Sequence, residues 1–206
     1  MSGAVVRPSA LLKLVLALAA LALLAAATQL VPNQHPFRPL SASAGTGGDP
    51  IYMQYGTIQG DVTASGHVHW IELSSFQWGI SRSISSPTGS IADRESTAPS
   101  VSEIKVTKSL DSSSPYLFKE ALIGEGQTVT IDFVKNVTTG PGLVYLEIVL
   151  TNTLVSGFST SSGGDRPTES LSLNFTKVQY KNTTQDANGA NTSVVVTYDL
   201  ATQIVS

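Results

Sequence analysis

The chain predicts a mainly β domain: an antiparallel, closed or nearly closed sheet of about seven strands with one flanking α-helix. Three observations carry this expectation. Apolar residues recur at every second position in several short segments, and turn-forming residues stand between those segments. A single segment has helix punctuation at both ends. Charged residues are only 13% of the chain against 41% hydrophobic, and Ser, Thr, Gly and Asn fill the difference, as in many exported β-rich proteins.

The N-terminus stands apart. Arg7 and Lys13 precede an almost unbroken run of Leu, Val and Ala from Leu14 to Ala27, closing on Ala25-Ala26-Ala27. A charged start, an apolar stretch and small residues at its end are the marks of a secretory signal. About 14 apolar residues are short for a membrane span, which needs roughly 20. Residues 1–27 are therefore expected to be a cleaved signal peptide, leaving a secreted or periplasmic protein with no membrane attachment. The alternative is an uncleaved anchor continued through Leu30 and Val31. Residues 28–50, with Pro32, Pro36, Pro39, Gly45, Gly47 and Gly48, predict a disordered linker in which His35 has no partner. The domain proper is residues 51–206.

Within it, Ile51–Ile58 predicts a short strand ending in the turn Gln59-Gly60-Asp61. Trp70, Ile71 and Leu73 begin a second, and Phe76, Trp78 and Ile80 continue it on a shifted face, with a bulge at Ser74-Ser75. Ser81–Ser100 predicts a long loop, and loops of that length act as functional segments or binding arms. Ile104 and Val106 mark a half-buried strand. The helix follows: Ser114 as cap, Pro115 in the first turn, Leu117, Ala121 and Leu122 as the buried stripe, and Gly124 as a left-handed C-terminal residue. Val129, Ile131 and Phe133 alternate in the next strand. The turn Gly140-Pro141-Gly142 then leads into Val144, Leu146, Ile148 and Leu150, with Leu154 on the same face. Phe158–Tyr180 predicts an exposed loop feeding a long curved strand, Leu171, Leu173 and Phe175, whose phase slips after Thr176 to Val178 and Tyr180. Val194, Val196, Tyr198 and Leu200 face inward in the last strand.

Chemistry is sparse. A net charge of −3 gives no basic footprint for nucleic acid, and the absence of cysteine excludes disulfides and thiolate sites. His67 and His69 project to one side of a strand and are a metal candidate only if Asp61 or Glu72 joins them; surface histidines are the expectation. No nucleophile elbow is present. Glu147 and Glu169 are the best carboxylates for a secreted hydrolase, but solvated or lumen-facing roles are favoured. Asp165-Arg166 predicts a loop ion pair near Glu169. Sequons at Asn136, Asn174, Asn182 and Asn191 carry little weight in so Ser/Thr-rich a chain, and Trp70 and Trp78 are assigned to the core. No catalytic, cofactor-binding or metal site is expected.

Seven pieces, in order, resemble the haemolysin-coregulated protein (Hcp) family, the tube subunits of bacterial type VI secretion. They are Ile58–Asp61, Gly66–Leu73, Phe76–Ser81, Val106–Leu117, Tyr145–Ile148, Leu154–Thr160 and Gly163–Val178. The resemblance implies an Hcp-like β-barrel with one flanking helix and no active site. It implies six copies in a ring, rings stacked into a tube, spike and effector proteins as partners, and the Ser81–Ser100 arm reaching a neighbour. Tube subunits of the family carry no export signal, so residues 1–27 also favour an exported Hcp-fold binding or surface module independent of the secretion machine.

Overall fold

The structure, a computed structural model, describes residues 48–85, 94–136 and 142–206. The expected signal segment 1–27, nearly all of the expected linker with His35, residues 86–93 of the Ser81–Ser100 segment and most of the expected Gly140–Gly142 turn lie outside the described residues. None of the helices among the described residues is long and apolar enough to cross a membrane.

The strands are β1 (Ile51–Tyr55), β2 (Ile71–Leu73), β3 (Ser75–Gln77), β4 (Ile80–Ser81), β5 (Ile84–Ser85), β6 (Glu95–Ser96), β7 (Ser100–Val101) and β8 (Ile104–Ser109). The helix α1 (Ser114–Ile123) follows. After it come β9 (Gln127–Lys135), β10 (Leu143–Ser161), β11 (Thr168–Asn174), β12 (Lys177–Gln185), β13 (Asn191–Asp199) and β14 (Ile204–Val205). All pairings given are antiparallel. Hydrogen bonding and one chain continuation close a circuit: β1 pairs with β9, β9 with β10, β10 with β11, β11 with β8 and β8 with β3, and β2, joined to β3 through Ser74, returns to β1. Closure removes the edges of the barrel proper, while β13 and β14 extend from it and leave an edge at β14. Among the described residues the fold is the expected mainly β barrel with one helix.

Strand β10 makes closure possible. Its 19 residues lie between β9 and β12 at the start and beside β11 at the end. Between Leu150 and Thr153 its register slips against β9, and Asn152 adopts φ 53°, a left-handed conformation that Asn tolerates. The slip exchanges faces: Thr153 and Val155 are buried, and Leu154, expected inside, is exposed. Ser74 is a similar corner, where the chain leaves β2, paired with β1, for β3, paired with β8, and the Ser74 N–H donates to the Thr107 carbonyl at 2.8 Å. The predicted slip after Thr176 is a full break between β11 and β12. Phe175 and Val178 stay in the core there, whereas Tyr180 is exposed.

The core gathers Met53, Tyr55, Ile71, Ile104, Val106, Leu117, Val129, Ile131, Ile148, Leu150, Leu171 and Leu173, with Phe76, Trp78 and Phe133 packed against it. Tyr55 keeps a polar handle inside, its hydroxyl donating to the Thr153 carbonyl at 3.2 Å. Burial, aided by Glu120, pushes its pKa up to about 12. Gly60 is required by proximity: a Cβ there would lie 2.5 Å from the Trp70 carbonyl oxygen and 2.9 Å from Ile71 Cα. Because those atoms are backbone, Gly60→Ala is expected to destabilise the domain by about 1–3 kcal/mol. Urea unfolding checks this; an unchanged midpoint would mean the loop yields freely.

Three details of the helix differ from expectation. Ser113, not Ser114, is the N-cap, and no side-chain cap bond forms. Gly124 is extended (φ −65°, ψ 153°) rather than left-handed; a Cβ there would meet the Glu120 carbonyl oxygen at 2.4 Å. Leu117 is buried as expected, but Leu122 is 66% exposed. The described ends of the Ser81–Ser100 segment are strands where a loop was expected: β4 pairs with β7 and β5 with β6.

Candidate assembly surface

Most of the candidate chemistry-bearing residues fall into two polar clusters, each tying down the scaffold. Lys108 on β8 is fully buried. Its Nζ lies 2.8 Å from Glu169 Oε2 on β11 and 2.8 Å from Asp111 Oδ1, and it donates to Ser114 Oγ and the Ser109 carbonyl, each at 2.9 Å. Ser114 Oγ donates to Glu169 at 2.7 Å. One ammonium thus binds two strands and the first turn of α1. Glu169, the candidate acid, is 2% exposed and its Oε2 is held by Lys108 and Ser114. Arg166 pairs with the Leu110 carbonyl at 2.7 Å, in place of the expected Asp165 contact near Glu169. Ser112 Oγ donates to Asp61 at 2.6 Å, and this bond holds the Asp61 carboxyl below its ordinary value.

The second cluster lies on the outer side of the sheet. His67 sits in a turn before β2, so the expectation that His67 and His69 share a strand face does not hold; His69 is exposed with φ 67°. The His67 ring lies 4.9 Å from Tyr52 and 4.7 Å from Trp70, and its Nε2 is 2.9 Å from Asp132 Oδ2. Among the described residues no three His, Cys, Asp or Glu side chains are grouped to hold a metal. Asp132 stands opposite Glu147, which faces Lys181 across β12 at 3.4 Å. Burial raises the Asp132 carboxyl above its ordinary 3.8, against the downward pull of the His67 bond. A raised folded-state value contributes stability below the unfolded pKa and loses it as pH rises through the folded one. The urea midpoint of the native protein, relative to Asp132→Asn, is therefore expected to fall as pH rises above about 3.8; a constant difference would refute this.

What remains is surface. In cross-strand rows over β10, β12 and β13, Ile148 stands beside Tyr180 and Val196, Leu146 beside Asn182 and Val194, and Leu150 beside Val178 and Tyr198. Ile148, Leu150 and Val178 are core residues. Tyr180, Val194 and Val196 thus lie on the core-facing side of the sheet, beyond the end of the core, and are 40%, 64% and 46% exposed. Val205 on β14 continues the face beside Tyr198 at 65%. The inward side of the last strand is as expected; its burial is not, because Val194 and Val196 have no covering layer within the described residues. The helix carries a second apolar surface, with Tyr116, Phe118, Leu122 and Ile123 all more than half exposed. Phe118 leans edge-on against Phe158 at 5.7 Å.

Comparison with known proteins decides what kind of scaffold this is. The family model described as "Type VI secretion system effector, Hcp" matches residues 52–181. The chain belongs to the Hcp family. It is a type VI secretion tube-like structural protein. Its fold is shared by a solved type six secretion system protein at TM-score 0.68 and 24% identity, over 77% of this chain and 99% of that one. Hcp1 from Salmonella typhimurium superposes at TM-score 0.62 with 22% identity, covering 77% of this chain and 99% of that one. A type VI secretion system effector from Yersinia pestis does so at 0.56 with 20% identity, over 72% and 98%. No curated protein sequence gives a significant match. In this Hcp-family chain the buried Lys108 cluster joins two of the recognised pieces, Val106–Leu117 and Gly163–Val178.

Proposed function

We propose that this Hcp-family protein is a non-enzymatic ring subunit, six copies closing into a ring that stacks and encloses effector proteins. The observation that carries the reading is the open inward face of β12–β14: a layer patterned for burial and left uncovered among the described residues. A second copy supplies the missing layer in a closed, symmetric assembly. The carboxylates that a hydrolase would need are engaged instead, Glu169 by Lys108 and Glu147 by Lys181. Electron micrographs of the purified protein are expected to show six-fold rings with an open centre; dispersed single subunits would overturn the reading.

The signal-like residues 1–27 favour a second reading of where the protein works, as an exported module outside the secretion machine. N-terminal sequencing of the mature protein is expected to begin near residue 28. Release that continues in a strain without sheath and baseplate favours the exported module; release that stops there favours the tube.

A further inference from the structure

The geometry points to a site for a hard, oxygen-seeking cation of the Ca²⁺ type where the C-terminal end of α1 meets the barrel, anchored by Glu120 and Thr153. The site lies within one subunit and stands whether or not rings form. Two buried oxygens there have no hydrogen-bond partner among the described residues, Glu120 Oε2 and Thr153 Oγ1. Thr153 is fully buried beside Tyr55, whose hydroxyl donates to the Thr153 carbonyl at 3.2 Å and leaves Oγ1 unengaged. Glu120 follows the buried Leu117 by three residues, so its side chain shares the helix face that packs on the barrel. Its carboxylate folds back over the helix end, where a Cβ on Gly124 would lie 2.4 Å from Oε2. The charge of Glu120 is felt at the Tyr55 hydroxyl, which places it at the same corner as Thr153.

A buried carboxylate oxygen without a partner is costly, and the C-terminal end of a helix adds negative potential of its own. No basic residue lies in the last turn of α1, and Glu120 belongs to none of the ion pairs among the described residues. A cation answers both the orphaned oxygen and the helix end. The neighbouring side chains offer further oxygens. Asn152 Oδ1 lies where a Cβ on Gly126 would be 1.8 Å away, and Gln127 Oε1 lies where one on Gly56 would be 2.7 Å away. Gln127 stands opposite Thr153 across β9 and β10. Carboxylate, hydroxyl and amide oxygens suit Ca²⁺, which accepts irregular sets of roughly six to eight oxygens, better than Mg²⁺, which demands a near-ideal octahedron. With a single carboxylate the affinity is weak, about 10⁻⁴–10⁻³ M as in extracellular modules, and water completes the shell.

Thermal unfolding of the full chain, stripped of metal by a chelator and titrated with CaCl₂, tests the site. Tm is expected to rise once Ca²⁺ passes about 10⁻⁴–10⁻³ M, because a ligand held only by the folded state stabilises it by mass action. Thr153→Val and Glu120→Gln are each expected to abolish the rise. Without Ca²⁺ neither variant is expected to unfold earlier than the native protein, since each removes an orphaned buried group. Asp165→Asn, which changes an exposed acid on another loop, is expected to keep the full rise. An unchanged Tm in the native protein would overturn the inference and leave the corner to water. So would a rise that survives either Thr153→Val or Glu120→Gln, or one that NaCl reproduces at equal ionic strength.

Discussion

Replacing Val194 and Val196 together with aspartate is expected to leave a folded monomer. Both side chains are already 64% and 46% exposed in the single chain, so the substitution buries no charge within it. Its cost to the monomer is the poor strand propensity of Asp, under about 1 kcal/mol per site. In the proposed assembly these positions face a neighbour, where each unpaired carboxylate is expected to cost about 2–5 kcal/mol. Two such charges amount to roughly 700-fold or more weaker association, since each 1.4 kcal/mol is tenfold. Sedimentation velocity reads the loss of the oligomer, and far-UV circular dichroism reads the retained fold. An unchanged sedimentation profile would mean that the face is not an interface.

The largest stability loss is expected from Lys108→Met. The methionine fills the volume but leaves Glu169, 2% exposed, with no cation, and Asp111 loses the same partner. Breaking a buried ion pair from one side costs about 3–5 kcal/mol, which for a domain of this size lowers Tm by roughly 6–20 °C. Glu169→Gln is expected to cost less, because Asp111 still balances Lys108 and the amide oxygen still accepts from Ser114. Calorimetry on the three proteins orders them. Equal losses would show that Lys108 acts by packing alone.

Much of the barrel was legible from alternation, because a sheet with one buried face imposes period two on its strands. Ile104 and Val106, Leu171 and Leu173, and Ile148 and Leu150 are buried as their spacing predicts. The errors fall where the physics is not local. Leu154 was placed on the wrong face because one left-handed residue, Asn152, reverses the pleat, and nothing in the alternation marks it. Gly124 fits a left-handed cap by composition, yet close contact with Glu120 is what demands a glycine. The pairing of His67 with Asp132 spans 65 positions and that of Lys108 with Glu169 spans 61, so no spacing rule reaches them. Only the resemblance, which contained Lys108 and Glu169 in separate matching pieces, held any trace of the second.

The open face is the most instructive case. Val194 and Val196 are patterned for burial, and the pattern is correct about direction; the described residues of one chain leave them uncovered. A sequence records what a side chain faces in the working assembly, and one subunit does not contain that assembly. Native mass measurement of the purified protein across a dilution series tests this most directly. The expected result is a species of six chain masses that persists on dilution and disappears in the Val194→Asp, Val196→Asp variant. A single chain mass at every concentration would contradict it.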